Sequence, residues 1–110
     1  QLLSPGDAKE ILYSLNFIDK VAHRRGIKHI LVVPPVYESY SLKRLNSFAN
    51  LILDDVLYKF NQSAKSTKII DHRRDKRFLG KDKEIYYYHY DHPSPMYGNI
   101  LIKDILDSIE

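Results

Sequence analysis

The stretch Asp91-His92-Pro93-Ser94-Pro95 follows a tyrosine-rich run and leads into an apolar segment. It holds the most distinctive candidate for proton transfer. An imidazole titrates near neutrality and can take a proton from a hydroxyl or a water when a carboxylate or carbonyl holds its other nitrogen. His92 has Asp91 beside it in sequence, although a lone histidine next to a proline is also a common loop residue. A second acid-histidine pair, Asp71-His72, opens onto a basic run. His72, His89 and His92 with Asp71 and Asp91 show none of the helical His-x-x-x-His spacing of a zinc enzyme. Neither a metal nor a cofactor is expected.

The formal net charge is +3, and it is unevenly placed. Residues 64–83 carry eight Lys/Arg against three Asp, so this run alone sums to +5 and the remainder to −2. Arg73, Arg74, Lys76 and Arg77 form its densest part and could meet phosphates. The same run reads equally as a solvated loop with interspersed charges. Tyr86, Tyr87, Tyr88 and Tyr90 could stack on bases or line an acyl pocket, or simply cover the core. With 110 residues the chain forms a single domain with one modest core. It lacks cysteine, so disulfides and thiolate metal sites are excluded while the redox compartment stays open. No apolar run approaches the ~20 residues of a membrane span. The start at Gln1 predicts a processed or excised piece.

Helical and strand periodicities supply the elements that must position these groups. "SPGDAKEILYSLNFIDKVAHRRG" predicts a helix over about 5–25, with Ser4 as cap, Gly26 as stop and Ile11, Leu12, Leu15, Ile18 and Ala22 on one face. "IKHILVVPP" predicts a strand buried on both faces and ended by Pro34 and Pro35. "YSLKRLNSFANLILDDVLYKF" predicts a second helix, capped by Ser41, whose buried stripe includes Leu42, Leu45, Phe48, Ala49, Ile52, Val56 and Phe60. "STKIID" predicts a strand ending at Asp71, and "NILIKDILDSIE" a terminal helix with Ile100, Leu101, Ile105, Leu106 and Ile109 inward. "EIYYYHY", residues 84–90, is a candidate third strand. Strands alternating with amphipathic helices imply βαβ crossovers and a short parallel sheet. So small a sheet calls for an upstream segment, a second chain or a homo-oligomer to complete it. Ligands in open parallel sheets bind beyond the carboxyl ends of the strands, where Pro34–Tyr37, Asp71-His72 and the Asp91-His92 loop converge by topology.

The succession "GIKHILVVPPV", "RLNSFANLILDDVLYKF", "KIID" and "DHPSPMYGNILIKDIL" resembles the C-terminal half of the SGNH (GDSL-type) hydrolases, from about residue 8 onward. The resemblance implies a three-layer α/β/α, flavodoxin-like fold and hydrolysis of a small ester. It makes His92 the general base, Pro93 the proline after it, Gly98 the glycine opening the last helix, and Asn46 or Asn50 the helix asparagine. Asp71 matches the strand-end aspartate, with a structural role. The family's triad aspartate falls at His89, so Asp91 takes its place beside His92. Tyr37 and Tyr97 border the substrate in this reading. The Gly-Asp-Ser nucleophile motif does not occur: Gly6-Asp7 is followed by Ala8. The serine must then lie outside this chain, since nucleophile, base and oxyanion donors act together. The alternative is a degenerate member binding RNA, DNA or a protein through the 73–77 loop, as non-catalytic members of this fold bind RNA. His92-Pro93-Ser94-Pro95 is also similar to a loop of uracil-DNA glycosylases, whose Gly-Gln-Asp-Pro-Tyr motif is absent.

Overall fold

Two parallel strands and three helices make up the computed structural model, which describes residues 5–35, 48–78 and 94–109. In chain order these are helix α1 (Pro5–Arg24), strand β1 (His29–Val33), helix α2 (Phe48–Ser63), strand β2 (Thr67–Asp71), a 3-10 turn (Lys76–Phe78) and helix α3 (Pro95–Ile109). β1 and β2 pair in parallel from His29 with Thr67 to Val33 with Asp71. The ladder runs one bond past each end: His29 N–H donates to Ser66 O and His72 N–H to Val33 O, both at 2.8 Å. Parallel strands cannot be joined by a tight turn, and the connection carrying α2 is the crossover. The described residues therefore form a mixed α/β arrangement with a two-stranded parallel sheet. All five residues of β1 are half-buried, so its cover among the described residues is partial where burial on both faces was expected.

α1 and α2 lie side by side and run in the same direction. Ala8 and Leu12 share a groove with Ile52 and Val56, and eight residues on, Ser63 Oγ donates to Asn16 Oδ1 at 3.2 Å. Val56, Leu57 and Phe60 are the buried anchors of α2, with Phe60 wholly out of contact with water. α2 continues three residues past Phe60 to Ser63, while its expected opening over 40–47 lies outside the described residues. α1 ends in a Schellman motif: Gly26, at φ 65°, donates to His23 O at 3.2 Å, and Ile27 N–H reaches Ala22 O at 2.9 Å.

The inward line of α1 departs from the apolar stripe. Ile18 is 43% exposed, and Asp19 is buried at 5%. Its carboxylate accepts the Lys65 and Ser66 amides at 2.9 and 2.8 Å and the Thr67 hydroxyl at 2.8 Å. Thr67 Oγ1 has given its proton to Asp19, so it accepts from His29 Nδ1 at 3.0 Å. One carboxylate thus ties α1 to the loop that starts β2. Burial pushes the Asp19 carboxyl up, but the two amides and the hydroxyl outweigh it and hold the group below its ordinary value.

α3 runs antiparallel to β2: Tyr97, in its first turn, meets His72 just after the strand, and Lys68, near the strand's start, donates to Ser108 O. The helix opens at Pro95, four residues earlier than the periodicity indicated. Ser94 is its cap, accepting the Tyr97 amide on Oγ at 3.2 Å, and Pro95 fills the first position, where its missing N–H costs nothing. Gly98 consequently sits inside the helix and does not open it, and a Cβ there would meet nothing within 4 Å. Leu106 and Ile109, expected inward, are 56% and 47% exposed. Tyr97 and Phe78 instead form a small core with Met96, Ile100 and Leu101 packed against it. No helix among the described residues is long and apolar enough to cross a membrane.

Asp19→Ala should lower stability by about 2–3 kcal/mol, because two amides and a hydroxyl lose their acceptor; urea unfolding reads it directly. The acid response carries a second signature. With its folded-state pKa depressed, Asp19 contributes fully above the unfolded value of about 3.9 and loses that contribution as pH falls through the lower folded value. Asp19→Asn should flatten this part of the stability–pH curve, and an unchanged curve would remove the clamp from the account.

Candidate functional site

The carboxyl end of the sheet is built from charged side chains around two buried groups, His72 and Arg73. β1 stops at Pro34-Pro35, with Pro35 buried, and β2 hands over to His72-Arg73-Arg74-Asp75. Arg73 is only 5% exposed. Its amide and Nε both donate to Asp71 Oδ1 at 3.0 Å, and Nη2 donates to Asp71 Oδ2 at 2.7 Å. The far side of the guanidinium reaches α2, giving Nη2 to Asp54 Oδ1 at 2.7 Å and Nη1 to Asn50 Oδ1 at 3.1 Å. Arg74 forks onto both oxygens of Asp54 at 2.9 Å each. Burial pushes the carboxyls of Asp54 and Asp71 up, but Arg73 and Arg74 hold both below the ordinary carboxylate range. Planar, two-pronged pairing of this kind suits arginine and not lysine.

His72 is the centre of a second network. It is 3% exposed, with Nε2 2.7 Å from Asp104 Oδ2 and Nδ1 3.0 Å from the Tyr97 hydroxyl. Asp104 can only accept, so Nε2 carries a proton, and in the neutral ring Nδ1 accepts from Tyr97. Arg77 braces Asp104 with Nη2 at 2.6 Å and Nη1 at 3.2 Å, and holds Asp75 with Nη2 at 2.6 Å. The Arg77 bonds, with help from His72 against partial burial, bring the Asp104 carboxyl down to about 2. The Phe78 ring lies 5.1 Å from His72 and 5.3 Å from Tyr97, closing the apolar side. His72, Asp75 and Asp104 present ligand atoms within 4.8 Å of one another. That donor set suits a divalent cation in type, but the Arg77 guanidinium already bridges the two carboxylates and would have to leave.

The residues singled out from the sequence separate into two groups. Tyr37, Asp91 and His92 lie outside the described residues, as do Pro93, His89, Asn46 and the candidate strand 84–90. Tyr97 is at this end of the sheet, 3% exposed and bonded to His72. Asp71, the strand-end aspartate, and Asn50, one of the two candidate asparagines, meet on the Arg73 guanidinium. Arg73, Arg74 and Arg77 are all ion-paired, and Lys76 is exposed. The three arginines share four carboxylates, Asp54, Asp71, Asp75 and Asp104, and with Lys76 counted the four cations and four aspartates sum to no net charge. Asp54 and Asp104 were missed from the sequence. A signal existed for Asp104, which continues the inward line of Tyr97, Ile100 and Leu101 at helical spacing.

No family model, curated protein or solved structure matches the chain. What the geometry itself defines is a densely hydrogen-bonded base at the carboxyl end of the sheet, with a buried imidazole whose two nitrogens are both committed. Asp104→Ala strips His72 and Arg77 of a shared acceptor and should cost about 2–3 kcal/mol, whereas Tyr97→Phe removes one buried partner and should cost about 1–2 kcal/mol. Urea midpoints check both, and combining the two changes should give less than the sum because they share His72.

Proposed function

We infer that the chain is the carboxyl-terminal part of a serine esterase of the SGNH type, with a three-layer α/β/α arrangement completed by an upstream segment or a partner chain. His92 is the general base in this reading, Asp91 the carboxylate beside it, and the nucleophilic serine lies outside these residues. The substrate is a small ester, with Tyr37 at its border. The observation that supports this most is where the last helix begins. Its cap, Ser94, is buried, and its first turn is fastened to the carboxyl end of β2 through Tyr97 and His72. Only Pro93 separates His92 from Ser94, so covalent geometry keeps their Cα atoms within about 7 Å of each other. A base carried so close to a fixed point at the carboxyl edge of a parallel sheet is where the chemistry of such folds is found. Tyr97, buried against His72, supports that point from beneath. The alternative of nucleic-acid binding through Arg73, Arg74, Lys76 and Arg77 draws less support, since the three arginines are already ion-paired with aspartates and Lys76 alone has no such pair among the described residues.

A fluorophosphonate that labels activated serines tests the reading on the protein from its natural source. One adduct should form on a longer chain or a co-purifying partner, and His92→Ala should slow esterase turnover of that assembly by about 100-fold or more. Turnover untouched by His92→Ala would remove the assigned base.

A further inference from the structure

The opposite end of the sheet carries the larger excess of positive charge. Residues 19–30 and 64–68 contain Lys20, Arg24, Arg25, Lys28, Lys65 and Lys68 against one carboxylate, Asp19. Asp19 is buried, and both its oxygens are occupied by the Lys65 and Ser66 amides and the Thr67 hydroxyl. None of the six cations takes part in an ion pair among the described residues. Lys68 is engaged, but with the Ser108 carbonyl at the end of α3.

Between the end of α1, the starts of both strands and the end of α3 lies a cavity of about 400 Å³, within the ~300–1,000 Å³ range of small-ligand sites. Lys28, Lys65 and Lys68 stand around it with the imidazoles of His23 and His29, and among the described residues no carboxylate lines it. Each imidazole is oriented through Nδ1, His23 on Ser66 Oγ at 3.2 Å and His29 on Thr67 Oγ1 at 3.0 Å. Ile27, Ile30 and Ile109 supply apolar wall. A concavity whose described lining combines cationic and hydroxyl groups with apolar patches and carries no acidic group favours an anion with an apolar body and disfavours a cation or a neutral polar molecule. The surrounding excess of positive charge would draw such a ligand in.

We propose that this cavity, at the amino-terminal end of the β1–β2 sheet, binds a small phosphate monoester carried on an apolar group, through Lys28 and Lys65 with His23 and His29. It lies a strand's length, roughly 15 Å, from the carboxyl end where the esterase reading places its chemistry, and it stands without that reading.

The test is a titration of the ¹⁵N-labelled full chain with phenyl phosphate, using phenol as the neutral control. Saturable amide shifts over 26–30 and 65–68 are expected, at least tenfold weaker with phenol. Lys28→Glu combined with Lys65→Glu should weaken phenyl phosphate at least tenfold; both side chains are exposed, and Lys68 is left alone because it caps α3. Lys28→Gln with Lys65→Gln should weaken it less, serving as the milder variant if charge reversal harms folding. Linear, unsaturated shifts, or equal affinity in the variants, would overturn the proposal. So would a single-stranded oligonucleotide that binds across Lys20, Arg24 and Arg25 while phenyl phosphate does not, because the surface would then be one for a polyanion.

Discussion

Both ends of β2 are held by buried polar and charged side chains, Asp19 at one and His72 and Arg73 at the other, and the placement of every helix follows from the partners those groups require. A buried charge is costly unless its hydrogen-bonding capacity is filled. At the amino end Asp19 is filled by the loop entering the strand, which brings α1 against it. At the carboxyl end Arg73 is filled from Asp71 and from Asp54 and Asn50 on α2, and His72 from Tyr97 and Asp104 on α3. No buried side-chain nitrogen or oxygen among the described residues lacks a partner. The buried apolar side chains among the described residues are Ala22, Val56, Leu57, Phe60, Phe78 and Tyr97. Phe60 is the one large side chain there that is fully buried, and the Phe78–Tyr97 cluster is small. Directional bonds, each requiring a particular partner at a particular place, therefore specify much of the arrangement.

The same pairing redistributes the charge that the sequence shows as one run. Residues 64–83 read as a continuous basic segment, but β2 passes through it and sends its two parts to opposite ends of the sheet. Lys65 and Lys68 join the cations at the end of α1, while Arg73, Arg74 and Arg77 are matched by aspartates from α2, α3 and their own loop. Linear charge density and surface potential thus part company here, since a strand of five residues spans roughly 15 Å, longer than the ~8–10 Å over which charges act in physiological salt.

Much of the fold was legible because local rules agreed with the final structure. The apolar spacing of α1, the β-branched runs of both strands and the prolines after β1 placed these elements to within a few residues, and parallel pairing followed from their alternation. The failures have one cause. A rule that seeks apolar residues on the inward face passes over Asp19 and Asp104, which occupy inward positions because they have specific partners far away in sequence. It also retains Ile18, Leu106 and Ile109, which the structure leaves exposed. The start of α3 differs for another reason: the apolar periodicity begins only at Asn99, whereas serine followed by proline is itself a cap and first helical residue. At the site, topology placed Asp71-His72 at the carboxyl end of the sheet, where the structure has it, while Tyr37 and the Asp91-His92 loop expected beside it lie outside the described residues. The partners Asp54 and Asp104 were not accessible in this way, since nothing local pairs an arginine with an aspartate about 20 or 30 residues away.

The register of the two strands also sets the order in which the molecule can assemble. Every rung of the ladder joins residues 38 apart, so there is no short-range pair from which the sheet could zip. Closing such a loop costs entropy before any strand bond returns it, whereas the helices form their bonds within a few residues and on faster timescales. The sheet therefore belongs to the late, rate-setting part of folding. Early species would carry helices beside unpaired edges of Ile30–Val33 and Ile69–Ile70, and the cations that flank both strands, Lys28, Lys65 and Lys68, would keep those edges from associating between chains.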